Sequence, residues 1–367
     1  MIDSVPLTVI GRLPGSQQDA LSTVSGAIRL ENGDIIVSDL GTGEVKRYGP
    51  DGRFLATMGR TGRGPQEFQA PGPPKLFGGD SIAIVDLDQR RVTIFDPAGR
   101  PAGTRLFMLV SGAPVLPLAV VAGGAFVGTQ WRQEWPSRPG ERSQSTVTLV
   151  AGRFGAATFD TLITNLHDEL CGGLWSEGDR TGKVHSAVVG YRVKFGGTVA
   201  VAAGRRHLYV GETSRASVRV LSLEGHAIGT LTWQAKPDTI RSADVDSLIR
   251  LEAAQANQQP TTHPEQTGSL IDYLRADGCT ARLAPAFTGL TPTDDGGVWV
   301  ELDPRPWLPQ RSFVVFDSTL AAVAGASVPR AFMPLYISGG LVVGRWRDSS
   351  GEEQVRVHRI VAGASRP

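Results

Sequence analysis

The stretch GRTGRGPQEF, Gly59 to Phe68, carries three glycines and two arginines, the composition of a loop that cradles a phosphate. Such a loop needs a helix beginning at its end, whose free N–H groups complete the anion site. Phe68 is instead followed by QAPGPPK, too rich in Pro and Gly for a helix to start. The stretch is therefore expected to connect two pieces of sheet. Nucleophile signatures such as G-x-S-x-G and S-x-x-K do not occur, nor do H-x-H, H-E-x-x-H or C-x-x-C. In NLHDELCGG, His167, Asp168, Glu169 and Cys171 gather; Cys279 and His263 lie further on. Three readings of the cysteines stay open: a Cys171–Cys279 disulfide, a mixed Cys/His metal site, and two free thiols. The disulfide is preferred, and no metal or other cofactor is expected. Trp131, Trp135 and Trp307 stand among Arg132, Arg138, Arg142, Arg305 and Arg311. Trp and Arg are the types most enriched at interface anchors. Trp131, Arg132, Trp135, Arg138, Arg305, Trp307 and Arg311 are thus the candidate partner-binding residues. The competing reading is that the indoles fold back and stack on arginines.

The elements that must position these residues follow from composition and repetition. Lys+Arg 37 against Asp+Glu 36 gives a nearly neutral chain, which argues against a broad electrostatic grip on nucleic acid. Gly 45 and Pro 24 suit a turn-rich, all-β protein. No apolar run reaches the roughly 18 to 20 residues that span a bilayer, and the first residues show no signal-peptide pattern. Two segments, 31–52 and 77–99, repeat one another: Asp39 and Asp86, Tyr48 and Phe95, and Gly52 and Gly99 are each 47 apart. A third copy at 204–225 places Glu212 and Gly225 at the spacing of Asp39 and Gly52. Each copy reads as a strand, a short loop, an alternating strand and a tight Gly turn. Weaker copies bring the total to six, the arithmetic of a six-bladed β-propeller with blades near 22–60, 73–110, 115–163, 182–233, 284–323 and 330–363. The strand 6–13 is expected on the outer edge of the last blade, closing the ring.

Sorted by position in the blade, the short turns fall on one face and the long loops on the other. The long class comprises the connectors 59–73, 161–183 and 233–285 and the loops 130–144 and 302–311. Segment 233–285 is expected to contain a helical insertion at about 242–277: a first helix with Ser242 as its N-cap and a shorter one at 268–277. The innermost strands SGAIRL, PPKLFG, PLAVVA, GTVAVAA and FTGLTPT hold no carboxylate and no histidine, which implies a plugged or apolar channel. Asp39, Asp86 and Glu212 recur at one place and are expected to accept backbone N–H bonds of their own loops.

The connector GRTGRGPQEFQAP, with Gly59, Gly62, Gly64, Glu67, Phe68 and Pro71, resembles that of NHL-repeat-like six-bladed propellers. The signature marks a scaffold rather than an activity. The residues and the resemblance together suggest a single-domain, non-catalytic propeller that binds a protein partner through its long-loop face. Because many similar propellers are exported, the resemblance implies an extracytoplasmic place, periplasmic or secreted, and an accessory role in a complex that can be membrane-attached. Two alternatives are carried: a lactonase- or lyase-type enzyme with a divalent metal in the channel, and a sensor of small ligands beneath the 233–285 lid.

Overall fold

The structure, a computed structural model, describes residues 1–11, 20–78, 80–107, 115–121, 124–156, 158–178, 184–236, 238–258 and 278–361. The fold is a β-propeller, and the described strands form six sheets, each meandering outward from an innermost strand. Those innermost strands are Val24–Arg29, Lys75–Phe77, Val115–Val121, Val199–Ala203, Gly289–Pro292 and Phe332–Ser338. They neighbour one another around one axis in the order of the sheets. The first and second sheets meet where the Ser25 hydroxyl donates to the Pro71 carbonyl, 2.8 Å away. Thr8–Ile10 pairs antiparallel with Val355–Val357 on the outside of the sixth sheet and joins the two ends of the chain. Ile36, Ile82, Ile84, Tyr48, Phe95 and Phe332 are fully buried where neighbouring sheets face each other. The alternating strands bury both faces against adjacent sheets, so the apolar positions become walls between blades.

The repeat has a hydrogen-bonding reason. The Asp39 carboxylate accepts from the N–H groups of Gly41 (2.9 Å), Ser22 (2.8 Å) and Thr23 (2.9 Å). Asp86 accepts from Gln89 (3.1 Å) and Gln69 (2.8 Å). Each carboxylate thus caps its own loop and also the connector entering its sheet. Glu212 departs from this pattern: it accepts from His167 N–H at 3.1 Å and faces Arg215 at 3.4 Å. The entering connector of the fourth sheet is capped by Asp168 and Thr213 instead. We expect Asp39→Ala to cost about 2 kcal/mol, since several N–H groups lose their acceptor at once. A shift of the urea midpoint corresponding to less than about 0.5 kcal/mol would contradict this role.

Gly59 to Pro71 is a connector. Residues Glu67–Phe68 add a short parallel ladder to Arg60–Thr61 before the chain turns inward. The Glu67 carboxylate accepts the Gly64 N–H at 2.8 Å and pairs with Arg60 at 2.9 Å. An internal carboxylate therefore holds the place an anion would need. Gly59 is required because a Cβ there would lie 2.3 Å from the buried Phe68 ring.

Two expectations are corrected. Segment 161–183 is not a connector between blades. Strand Asp160–Gly178 continues the third sheet and turns back through Val184–Arg192 as a fifth strand, so the fourth sheet begins at Val199. The polar run His167-Asp168-Glu169 and the Gly172-Gly173 pair broke the alternation that identifies strands. In the folded chain Asn165 absorbs a left-handed backbone (φ 57°) and the register shifts, which lets the ladder run on. The helix Ser242–Gln258 forms, but Ser242 is not its cap. Asp244 reaches back to the Arg241 N–H at 2.9 Å, the return half of a capping box. The second helix expected at 268–277 lies outside the described residues.

Candidate functional site

The extended hairpin of the third sheet is the frame of the long-loop face. Cys171, on its inner strand, is joined to Cys279, with a Cα–Cα distance of 5.6 Å and a sequence separation of 108. Around this bond, Leu248 and Ile249 of the insertion helix pack against Val193 and Tyr191. Arg142 donates to the carbonyls of Gly278 (3.0 Å) and Thr280 (2.5 Å), which ties the same region down a second time. A mixed Cys/His metal site at Cys171 is thereby overturned. Among the described residues no three or more His, Cys, Asp or Glu side chains gather in a way that could hold a metal ion.

Four of the seven candidate partner-binding residues are internal struts. Trp131 donates its indole N–H to Thr129 Oγ1 at 3.2 Å and packs between the third and fourth sheets. Trp307 meets Phe195 edge-on, with ring centroids 6.2 Å apart. Arg305 pairs with Asp238 at 2.7 Å, Asp244 at 3.0 Å and Asp303 at 3.5 Å. Arg311 pairs with Glu301 at 2.7 Å. Their types drew them to an interface assignment, but nearby carboxylates and aromatics from other elements satisfy them.

Arg132, Trp135 and Arg138 remain exposed, and Trp135 is 57% exposed. The Trp135 ring lies against Gly190, where a Cβ would come within 3.0 Å of it. Gly172 and Gly190 are paired across the hairpin, as are Leu174 and Val188 two residues further out. With a period of two, all four share one face. Trp135, Val188 and the exposed Leu174 therefore lie on one face as an apolar strip, and the exposed Arg132 and Arg138 flank Trp135 in its loop. The loop that carries Trp135 is fixed by Glu141, whose carboxylate accepts from the Ser137 N–H and hydroxyl at 2.7 Å and from the Arg138 N–H at 3.1 Å. Those donors, Ser137 first, hold the Glu141 carboxyl below its usual range.

A second feature lies at the axis. A cavity of about 290 Å³ is lined by residues of all six innermost strands. Apart from Lys75 and Tyr336, the strand side chains that line it are apolar as expected, and further charge enters from the short turns at one end. Arg205 Nη1 lies 3.0 Å from Asp80 and 3.7 Å from Asp294, and Nη2 lies 3.9 Å from Glu31. The Tyr336 hydroxyl donates to Asp294. Five of the six sheets contribute to this crossing of the channel end. Burial pushes the Asp294 carboxyl up, with the Tyr336 hydroxyl and Arg205 opposing it. Lys75 also lines the cavity, and burial pushes its ammonium pKa down. It lies in the strand PPKLFG, where a lysine is neither a carboxylate nor a histidine and so gives no sign of a metal or acid-base site. Arg205, Asp80 and Asp294 come from separate repeats, and no local pattern announces their meeting.

No family model matches the sequence, and no curated protein matches it. Solved structures do resemble the fold. One is a protein of Bacteroides fragilis NCTC 9343, provisionally named an exported protein; it is 11% identical, with 98% of each chain covered and a TM-score of 0.50. Another is a DUF4221-family member from Bacteroides vulgatus, 10% identical, covering 98% of this chain and 97% of that one, with a TM-score of 0.51. The Cps50 (Swd1) β-propeller domain of Myceliophteria thermophila is 9% identical over 96% of this chain and 99% of that one, with a TM-score of 0.42. At these identities the likeness speaks to the fold alone, and the six sheets meandering outward around one axis make the chain a β-propeller.

Proposed function

We propose that this propeller is a non-catalytic binding module whose long-loop face docks a protein partner. The observation that carries the reading is the strip of Trp135, Val188 and Leu174 beside Arg132 and Arg138, displayed on a hairpin that a disulfide holds rigid. A large aromatic presented on a preorganised surface loses little entropy on binding, and flanking arginines favour an acidic rim on the partner. The Gly59–Pro71 connector supports an NHL-like relationship. A disulfide calls for an oxidising compartment, and a structural neighbour is provisionally named as exported; both favour an extracytoplasmic setting, within an assembly that can include a membrane protein. Among the described residues no helix is long and apolar enough to cross a membrane.

Affinity purification from the native source tests this, with the Trp135→Ala/Arg138→Ala double variant compared against wild type. Loss of a partner by at least about tenfold is expected, because truncating an anchor costs about 2 kcal/mol or more. A Trp307→Ala variant should keep that partner, since its indole packs on Phe195. Identical partner lists for wild type and double variant would defeat the assignment.

A further inference from the structure

Among the described residues, Lys75 is a cation without an internal counterpart: it makes no hydrogen bond or ion pair with them, although it lines the axial cavity. The other charged lining groups are accounted for. Arg205 and Asp294 face each other at the channel end, and the exposed Glu224 is held at the rim by Ser222. The remaining walls are largely aliphatic, with Ile28, Leu76, Leu118, Val120 and Leu335 among them. The undescribed residues 108–114 that enter the third innermost strand contain no acidic side chain. Lys75 is half-buried, and an amine partly withdrawn from water carries a desolvation cost that a partner of opposite charge would offset.

The geometry points to the axial channel as a binding site for a small apolar monocarboxylate, its carboxylate on Lys75 and its hydrocarbon part against the aliphatic walls. One unpaired cation matches one negative charge. A phosphate dianion would arrive with a second charge, and the other donors of the lining, Arg205 and the Tyr336 hydroxyl, are already engaged by Asp80 and Asp294. A cavity of about 290 Å³ has room for about ten water-sized groups, the scale of a short fatty acid or an aryl acid. Partial burial of the Lys75 side chain raises the value of a charge-assisted contact there. This site is separate from the Trp135 strip and does not depend on the protein-binding role.

Hexanoate and its uncharged counterpart hexanamide are the probes, titrated calorimetrically into the full chain. Hexanoate is expected to bind at least about tenfold more tightly than hexanamide, the difference made by a desolvated ion pair. Lys75→Met should lose that preference and Lys75→Arg should keep it. Chemical acetylation of wild-type lysines, mapped by peptide mass, gives a readout that needs no variant to fold. Saturating hexanoate should protect Lys75 at least about fivefold while leaving the acetylation of Lys236 unchanged; hexanamide should protect neither. Equal binding of the two probes, no detectable binding of hexanoate at millimolar concentration, or unaltered Lys75 acetylation would each overturn the proposal.

Discussion

Replacing Cys171 and Cys279 together by alanine is expected to lower the unfolding free energy by about 4 kcal/mol. The bond spans 108 residues, and releasing a closure of that length returns about this much conformational freedom to the unfolded chain in the entropy model. The native state also loses packing, because both cysteines are fully buried at the contact between hairpin and insertion helix. The effect should therefore be local as well as global. The insertion, held by Leu248, Ile249 and the Arg142 contacts, should become the first site of proteolytic cleavage. Urea unfolding of wild type and variant, with and without reductant, checks the magnitude. Reduced wild type should approach the double alanine variant, and a change below about 1 kcal/mol would show that the bond does not staple the fold. If the hairpin carries the partner-binding strip, the same variant should also bind its partner more weakly, through loss of preorganisation.

Arg205→Met should cost about 3 kcal/mol at neutral pH and much less in acid. The guanidinium, 25% exposed at its side chain, faces Asp80, Asp294 and Glu31. Removing it leaves the Asp80 and Asp294 carboxylates, which are largely buried, without a counter-charge, and breaking such a pair costs about 3 to 5 kcal/mol. The partial exposure and the remaining Tyr336 hydroxyl favour the lower end. The sign with pH follows from proton binding. Burial already raises the Asp294 carboxyl in the folded protein, and loss of Arg205 raises it further. Over the interval between the unfolded and folded values, the folded state then holds the extra proton, so stability falls as pH rises. The deficit should be larger at pH 8 and should shrink toward pH 4, near the unfolded carboxylate range. Denaturant curves at pH 5 and pH 8 test this. A pH-independent deficit would mean that lost packing, rather than stranded charge, is responsible. Adding Asp80→Asn and Asp294→Asn should recover part of the loss at pH 8.

The local chemistry of the chain was sufficient for much of the architecture. Alternating apolar residues, Gly turns and a 47-residue spacing mark a propeller without reference to any long-range contact, since they express strand periodicity and turn conformation. The capping by Asp39 and Asp86 was legible for the same reason, because each carboxylate serves a loop a few residues away. Glu212, at the equivalent place, departs from it because the neighbouring third sheet supplies Asp168 as the capping group.

The sites were only half legible. Residue type alone cannot distinguish an arginine that awaits a partner from one already surrounded. Arg305 is neutralised by Asp238 and Asp244 from the insertion, some 60 residues away in sequence, whereas Arg138 stays exposed. The strip at Trp135 depends on a hairpin that two glycines and a polar run concealed. The channel end joins turns of separate sheets through Arg205, and Lys75 acquires its character only when six strands close around it. Strand and turn preferences act over a few residues and can be read in order along the chain. Charge pairing, desolvation and exposure depend on which distant segments the closed ring brings together, so the tertiary structure alone decides them.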